Sequence, residues 1–364
     1  MIRRALALVA GAGLVAAMAL PAAARNINAE NHYAVHNLVS DGSIPADFTD
    51  PHLVNGWGIS AGPTTPWWVS DADSDVATIY NGNTGAPAAL VVTVPGGPTG
   101  QVFNGVATDF VVTNGAVTAG ANFIFATESG QVLGRGAGTT SAVLGADRSN
   151  VDASYKGLAI GTSGGAQYLY AADFHNARVD VFDRTFTLQS WAGAFVDPGI
   201  PSGFAPFGIQ AVTIDGVTSI IVTYAKQDAD AGDEVAGEGL GYVSQFGTDG
   251  SFWGRIASRG ELNAPWGIAL APNDAGASFG KFSGDLLVGN FGDGRITAYA
   301  MGEHRWEPRG HLKGTDPGPL EIDGLWGIGF GNGAASGSKS VLYFAAGPDD
   351  EAHGLFGSVS VSAP

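Results

Sequence analysis

"YLYAADFHNARVDVF", Tyr168 to Phe182, sets two apolar runs on either side of a short polar turn. "LLVGNFGDGRITAY", Leu286 to Tyr299, repeats the design. Short runs rich in Val, Ile and aromatics, pinched around Gly, Asp and Asn, read as antiparallel strands joined by a tight turn. The same pair recurs through the chain. Its first members are "WWVSDA", "FIFATE", "YLYAAD", "IIVTYA", "LLVGNF" and "VLYFAA". Its second members are "VATIYN", "GQVLGR", "RVDVFD", "GYVSQF", "RITAYA" and "FGSVSV".

Ahead of each pair stands a further short segment: "NGWGIS", "FNGVAT", "YKGLAI", "APFGIQ", "APWGIA" and "GLWGIG". A small residue follows a bulky one in each. Taking Gly58, Ala107, Ala159, Gly208, Gly267 and Gly327 as anchors gives spacings of 49, 52, 49, 59 and 60. Repeats of this length mark a propeller or similar array. Five units leave room for an outer run, such as "ALVVTV" or "FWGRIA". The expected fold is therefore all-β, a six-bladed β-propeller with four-stranded blades. The sixth unit runs out after its third strand. "HYAVHNLVS", His32 to Ser40, supplies the missing one and closes the ring, which removes an exposed strand edge. The bulky residues Trp57, Phe207, Trp266 and Trp326 are expected to pack between sheets. An aromatic cage for a ligand is the alternative.

The strand pairs resemble NHL-type propeller repeats. A fuller resemblance rests on "NGWGIS", "YKGLA", "APFGI", "LNAPWGIALAP", "LLVGNFGDGRI", "DGLWGIGFGNG" and "AGPDDEAHGLFG". Together these are similar to the motifs of a family of secreted bacterial conserved hypothetical proteins. "NGWGIS" departs from that pattern, with Gly56 where the resemblance leads one to expect Pro. The resemblance implies a propeller and export. It implies no reaction.

Composition agrees with many strands and turns. Gly accounts for 56 of 364 residues, about twice the usual ~7%. There is no Cys, so neither disulfides nor thiolate metal sites contribute. "MIRRALALVAGAGLVAAMALPAAA" has a basic start, an apolar run and an Ala22-x-Ala24 end, the pattern of a secretory signal peptide over residues 1–24. Residues 25–31 then form an N-terminal tail and 32–361 the propeller. Removing Arg3 and Arg4 reduces the basic residues from 17 to 15 against 34 acidic ones, a net charge of −19. Such a chain repels phosphate backbones and anionic lipid. Nucleic acid and, after cleavage, membrane insertion are excluded as expectations. The protein is expected to be exported, periplasmic or extracellular, with a small molecule, a glycan or a protein as partner.

Candidate chemistry gathers in the loops between second and third strands. In a propeller these share one face with the loops that enter each blade. Asp71, Asp173 and Asn290 end second strands in blades one, three and five. Glu351 and His353 lie two apart in "AGPDDEAHGLFG", and ring closure brings His52 and Asp71 toward them. A cation held by some of these six residues is expected at the channel mouth. Oxygen ligands favour calcium, whereas joint use of His52 and His353 favours zinc. The alternative is structural: Asp173 capping its turn, Asp293-Gly294 forming a tight turn, and the last loop tying the final blade down. "DADSDVATIYNG" is not an EF-hand, because Val76 and Gly82 replace the required Gly and Glu. "GTSGG", Gly161 to Gly165, lies in a strand-to-strand turn with no following helix, so it is no nucleophile elbow. The leading functional expectation is a non-catalytic propeller binding a ligand or partner on one face. The rival is a metal-dependent hydrolase of the lactonase or arylesterase kind. A quinone-holding redox propeller lacks the basic residues that an acidic cofactor needs.

Overall fold

The computed structural model describes residues 32–302, 305–315 and 318–362. The leader and tail expected at 1–24 and 25–31 lie outside the described residues. Six blade sheets follow one another along the described residues, the strands of each blade antiparallel and running from an inner to an outer one. Blade one is Gly56–Ser60, Trp67–Asp71, Val76–Tyr80 and Val92–Thr93. Blade two is Pro98–Phe103, Val117–Thr127, Gln131–Gly136 and Val143–Asp147, with Val111–Asn114 added as a hairpin. Blade three is Tyr155–Ser163, Ala166–Asp173, Arg178–Asp183 and Leu188–Gln189. Blade four is Phe204–Ile214, Val217–Lys226, Gly241–Gly247 and Phe252–Ser258. Blade five is Pro265–Leu270, Leu286–Asn290, Ile296–Met301 and Trp306–His311. Blade six is Leu325–Phe330, Leu342–Ala346 and Leu355–Val361, completed by Tyr33–Ser40. Each inner strand touches those of both neighbouring blades, and blade six touches blade one. This is the expected six-bladed propeller. No helix among the described residues is long and apolar enough to cross a membrane.

The apolar runs have a simple cause. Blades stack face to face, so a second strand is covered on both sides. Leu286–Asn290 and Leu342–Ala346 are buried at every position. Strands buried on two faces read as unbroken apolar runs rather than alternating ones.

The inner strands obey a tighter rule. A Cβ added to Gly208 would lie 2.0 Å from the carbonyl oxygen of Trp266. At Gly267 and Gly327 it would lie 2.6 Å from the carbonyls of Trp326 and Trp57. At Gly58 it would lie 2.5 Å from that of Thr99, and at Gly157 2.7 Å from that of Phe207. At Gly100 it would meet Leu158 N at 2.2 Å. Real Cβ atoms do not approach backbone so closely, so only Gly fits. These six glycines form the true anchor ring. They correct two anchors taken from the sequence. Blade two is anchored by Gly100, not Ala107, and blade three by Gly157, not Ala159. "FNGVAT" is mostly loop, held by Asn104 Nδ2 donating to the carbonyls of Val106, Asp109 and Ala121.

The residue before each ring glycine closes the axis. Trp57 and Trp326 stack with centroids 3.5 Å apart, and Trp266 meets both edge-on. Phe207 and Phe291 add to the cluster. Trp57, Phe207 and Trp326 are at most 2% exposed. The aromatics therefore form a packed plug rather than an open cage.

Ring closure follows the expected pairing. Tyr33 pairs with Val361 and Ser40 with Leu355, antiparallel, with a bulge between Asn37 and Val39. Tyr33, Leu38 and Val39 are buried. Burying side chains of this size contributes roughly 1.5–3 kcal/mol each. Set against a total of about 5–15 kcal/mol, their loss is severe. Deleting residues 32–40 should lower the melting temperature by at least about 10 °C. An unchanged melting curve would contradict the closure.

Candidate functional site

The axial channel has two unlike ends. The loops between second and third strands surround one end, and the plug closes it. The column that is aromatic in blades one, four, five and six holds Thr99 in blade two and Lys156 in blade three. The Lys156 side chain is 2% exposed. Its Nζ lies 5.2 Å from the centroid of the Trp57 ring. It forms ion pairs with Glu128 and, at 3.0 Å, with Asp233. Its carbonyl accepts from Trp266 Nε1 at 2.8 Å. Burial opposes the ammonium charge, but Glu128, Glu234 and Asp233 outweigh it and hold Lys156 above the ordinary lysine range. Glu128 comes from blade two and Asp233 from the long loop of blade four. One buried cation thus ties together three blades at the plug.

The six residues singled out from sequence reach this end of the molecule but do not converge on one point. Asp71, Asp173 and Asn290 occupy one level. Asp71 pairs across from Gly56, and Asn290 from Pro265, each two residues before a ring glycine. Asp173 pairs likewise with Tyr155. Asp173 accepts hydrogen bonds from the backbone N–H groups of Ser154 and Asn176 and from Asn176 Nδ2, and pairs with Arg178 at 3.2 Å. It caps its turn. Burial still holds its carboxyl above the ordinary range. Asp71 accepts from the Thr78 N–H, and its other oxygen has no hydrogen-bond partner among the described residues. Burial pushes that carboxyl well above the usual range, and Asp50 adds to the effect. Asn290 donates to Glu261 O and to Asp293.

Blades six and one do meet as expected, since Asn55 N–H donates to His353 O at 3.0 Å. The two imidazoles serve separate carboxylates, however. His353 Nδ1 is 2.7 Å from Asp41, and His52 Nδ1 is 3.0 Å from Asp50. Glu351 is drawn up by burial, against the pull of the Asn55 amide and Lys156. Among the described residues, no group of three or more His, Asp or Glu is arranged to hold a metal ion. In the turn between the second and third strands of blade five, Asp293 accepts from Arg295 N–H, and Gly294 adopts φ 68°. A Cβ on Gly294 would lie 2.1 Å from Ile322 O. That turn needs its glycine for geometry.

The other end of the channel is open. It widens into a funnel of about 500 Å³ at the C-terminal ends of the inner strands. Ile59, Ile160, Ala211, Ile268 and Ile328 supply apolar wall, and Gln101, Gln210 and Asn332 add polar groups. Its neck narrows past Leu158 and Ile209 to Trp266 of the plug. Sequence reasoning missed both this funnel and Lys156. The signal for Lys156 was present: a charged residue stood in a column that is aromatic in four of six blades, hidden by the misplaced blade-three anchor.

Glu234, beside Asp233 in the blade-four loop, has a titration consequence. Burial pushes its carboxyl from 4.5 up to about 7, against the pull of Lys156. The folded state then keeps a proton that the unfolded state releases, so stability falls as pH rises between these values. Glu234→Gln should melt above the parent at about pH 8, with the gap closing below about pH 4.5. Equal melting across that range would remove Glu234 as its source.

No family model matches the chain. Similar structures include a streptogramin B lyase, with TM-score 0.52 and 14% identity over 91% of this chain and 98% of that one. A Bacteroides thetaiotaomicron protein of unknown function gives TM-score 0.56 and 11% identity over 91% and 77%. At these identities the likeness shows the propeller fold. Two sequence relatives come from Acanthamoeba polyphaga mimivirus. Uncharacterized protein R648 is 30% identical over 341 residues, covering 90% of this chain and 80% of its own length. Uncharacterized protein L690 is 31% identical over 346 residues, covering 90% and 85%. These relatives are viral, so they lend no support to the secreted bacterial family expected from the motifs. Nearly the whole propeller aligns with them, and this chain belongs to the same family as R648 and L690.

Proposed function

We propose that this protein is a binding propeller whose ligand is a small, partly apolar molecule seated in the axial funnel. One observation carries the reading: an uncharged cavity of about 500 Å³, its wall shared evenly between apolar and polar groups, with a closed floor and an open rim. Small-molecule sites are typically cavities of about 300–1,000 Å³ with mostly apolar walls and a few placed polar groups. Gln101 and Asn332 spend their amides on the protein, which favours a small molecule over a glycan, whose many hydroxyls would lose water with few free polar groups to replace it. The metal-dependent hydrolase has less support, because Asp173, His52 and His353 are engaged with partners inside the protein. Calcium at the acidic mouth remains an expectation from residue type alone.

The neutral dye Nile red tests the reading. Saturable emission enhancement is expected for the parent protein. Ala211→Trp, which fills the funnel, should weaken it at least about tenfold while the protein stays folded. A single bulky side chain occupies much of such a cavity, so an unaffected affinity would place the dye elsewhere.

Export is proposed on the leader-like residues 1–24. The mature chain should begin within a few residues of Arg25, as read by intact mass of protein collected outside the cytoplasm. A full-length mass there, or none of the protein in that fraction, would overturn it.

A further inference from the structure

The funnel wall has a charge pattern unlike the rest of the chain. The protein carries a formal net charge of −17, yet none of the residues lining the funnel is Asp, Glu, Lys, Arg or His. A charged ligand entering it would lose hydration without gaining a counter-charge. The occupant is therefore neutral.

The polar groups of the wall narrow the class further. Gln101 is committed, with Nε2 donating to the carbonyls of Gly58 at 2.7 Å and Trp68 at 3.0 Å. Its Oε1 accepts from Ser60. Asn332 is committed on both sides. It donates to the carbonyls of Gly62 and Thr65 and accepts from the N–H groups of Ala334 and Ser336. Thr213 pairs with Thr218 at 2.8 Å. Gln210 differs. It sits in Phe204–Ile214, two residues past the ring glycine Gly208, and it is exposed in the funnel. Its side chain makes no hydrogen bond to any described residue. The equivalent positions in the other blades are Ser60, Val102, Ala159, Ala269 and Gly329. Gln210 is thus the one long polar side chain at its level.

We infer that Gln210 orients the ligand, and that the ligand is a neutral apolar molecule bearing an amide or a similar adjacent donor and acceptor. A carboxamide offers one carbonyl acceptor and two N–H donors, so it matches an amide group in both directions. An apolar body then fills the wall of Ile and Ala around it. The inference rests on the funnel being the binding site.

Two neutral probes of similar shape separate the hydrogen bond from the apolar contact: naphthamide and isopropylnaphthalene. Both are to be measured by displacement of Nile red. Relative to the parent, Gln210→Leu should shift the ratio of the two affinities toward the hydrocarbon by about three- to tenfold, the worth of one net hydrogen bond. Gln210→Ala should shift it the same way, which guards against an effect peculiar to Leu. The Nile red affinity of each variant is measured first, so that the ratio reports the two probes alone. An unchanged ratio in both variants would overturn the role of Gln210 while leaving the funnel as a site. Failure of naphthamide to displace dye from the parent would do the same. Failure of Nile red to bind the parent would instead overturn the funnel reading on which the inference stands.

Discussion

Everything in this molecule depends on how closely six backbones approach one axis. At the glycine ring, each inner strand presents bare Cα to the backbone of the next blade, leaving no room for a methyl group. That contact sets the radius of the ring. The radius in turn fixes what fits just above and just below. On one side, large aromatics fill the axis and seal it. On the other, the strands diverge and a cavity opens. Plug and funnel are two consequences of a single spacing, and neither could be resized without disturbing the glycines between them.

The plug is not made of aromatic rings alone. Lys156 takes one of its six places and turns a hydrophobic closure into a charged one. Its ammonium lies over the Trp57 ring and reaches carboxylates from blades two and four. Removing a charge from water is costly unless it is paired, and here both partners stay partly hydrated. The exposed side chain of Asp233 sits on a long loop, so the ion pair also pins that loop over the mouth. The acidity concentrated at this end therefore has a structural use that needs no bound ion.

Second and third strands were plain in the sequence because burial on both faces demands unbroken apolar runs. The missing strand of blade six was equally plain, because a unit that stops at its third strand leaves that strand's outer edge unpaired. The inner strand of blade two was misread for a physical reason. Its plug position is Thr99 and its next wall position is Gln101, so the bulky-then-small signature is lost. Thr99 Oγ1 donates instead to Tyr155 O of the next blade, a polar substitute for aromatic packing. The candidate residues show a different limit. Asp173 at a strand end is chemically suited both to a cation and to a backbone cap. Which it serves depends on side-chain direction, and no spacing encodes that. The funnel was illegible for the opposite reason: no residue in its wall is reactive, and its polar contact, Gln210, gains meaning from register alone.

Closure of the ring by Tyr33–Ser40 also sets a timetable. The propeller's first strand must wait for its last, since Tyr33 pairs with Val361. Bringing such distant segments together carries a large loop-closure entropy, and contacts of high sequence separation form late. Five blades can assemble as they are synthesised, but the seam cannot. Until the final strand arrives, the growing chain is an open arc with two unsatisfied sheet edges, the state in which propellers are most prone to pair with one another. The charge of the chain is suited to that interval, because strongly like-charged arcs repel until each has met its own end.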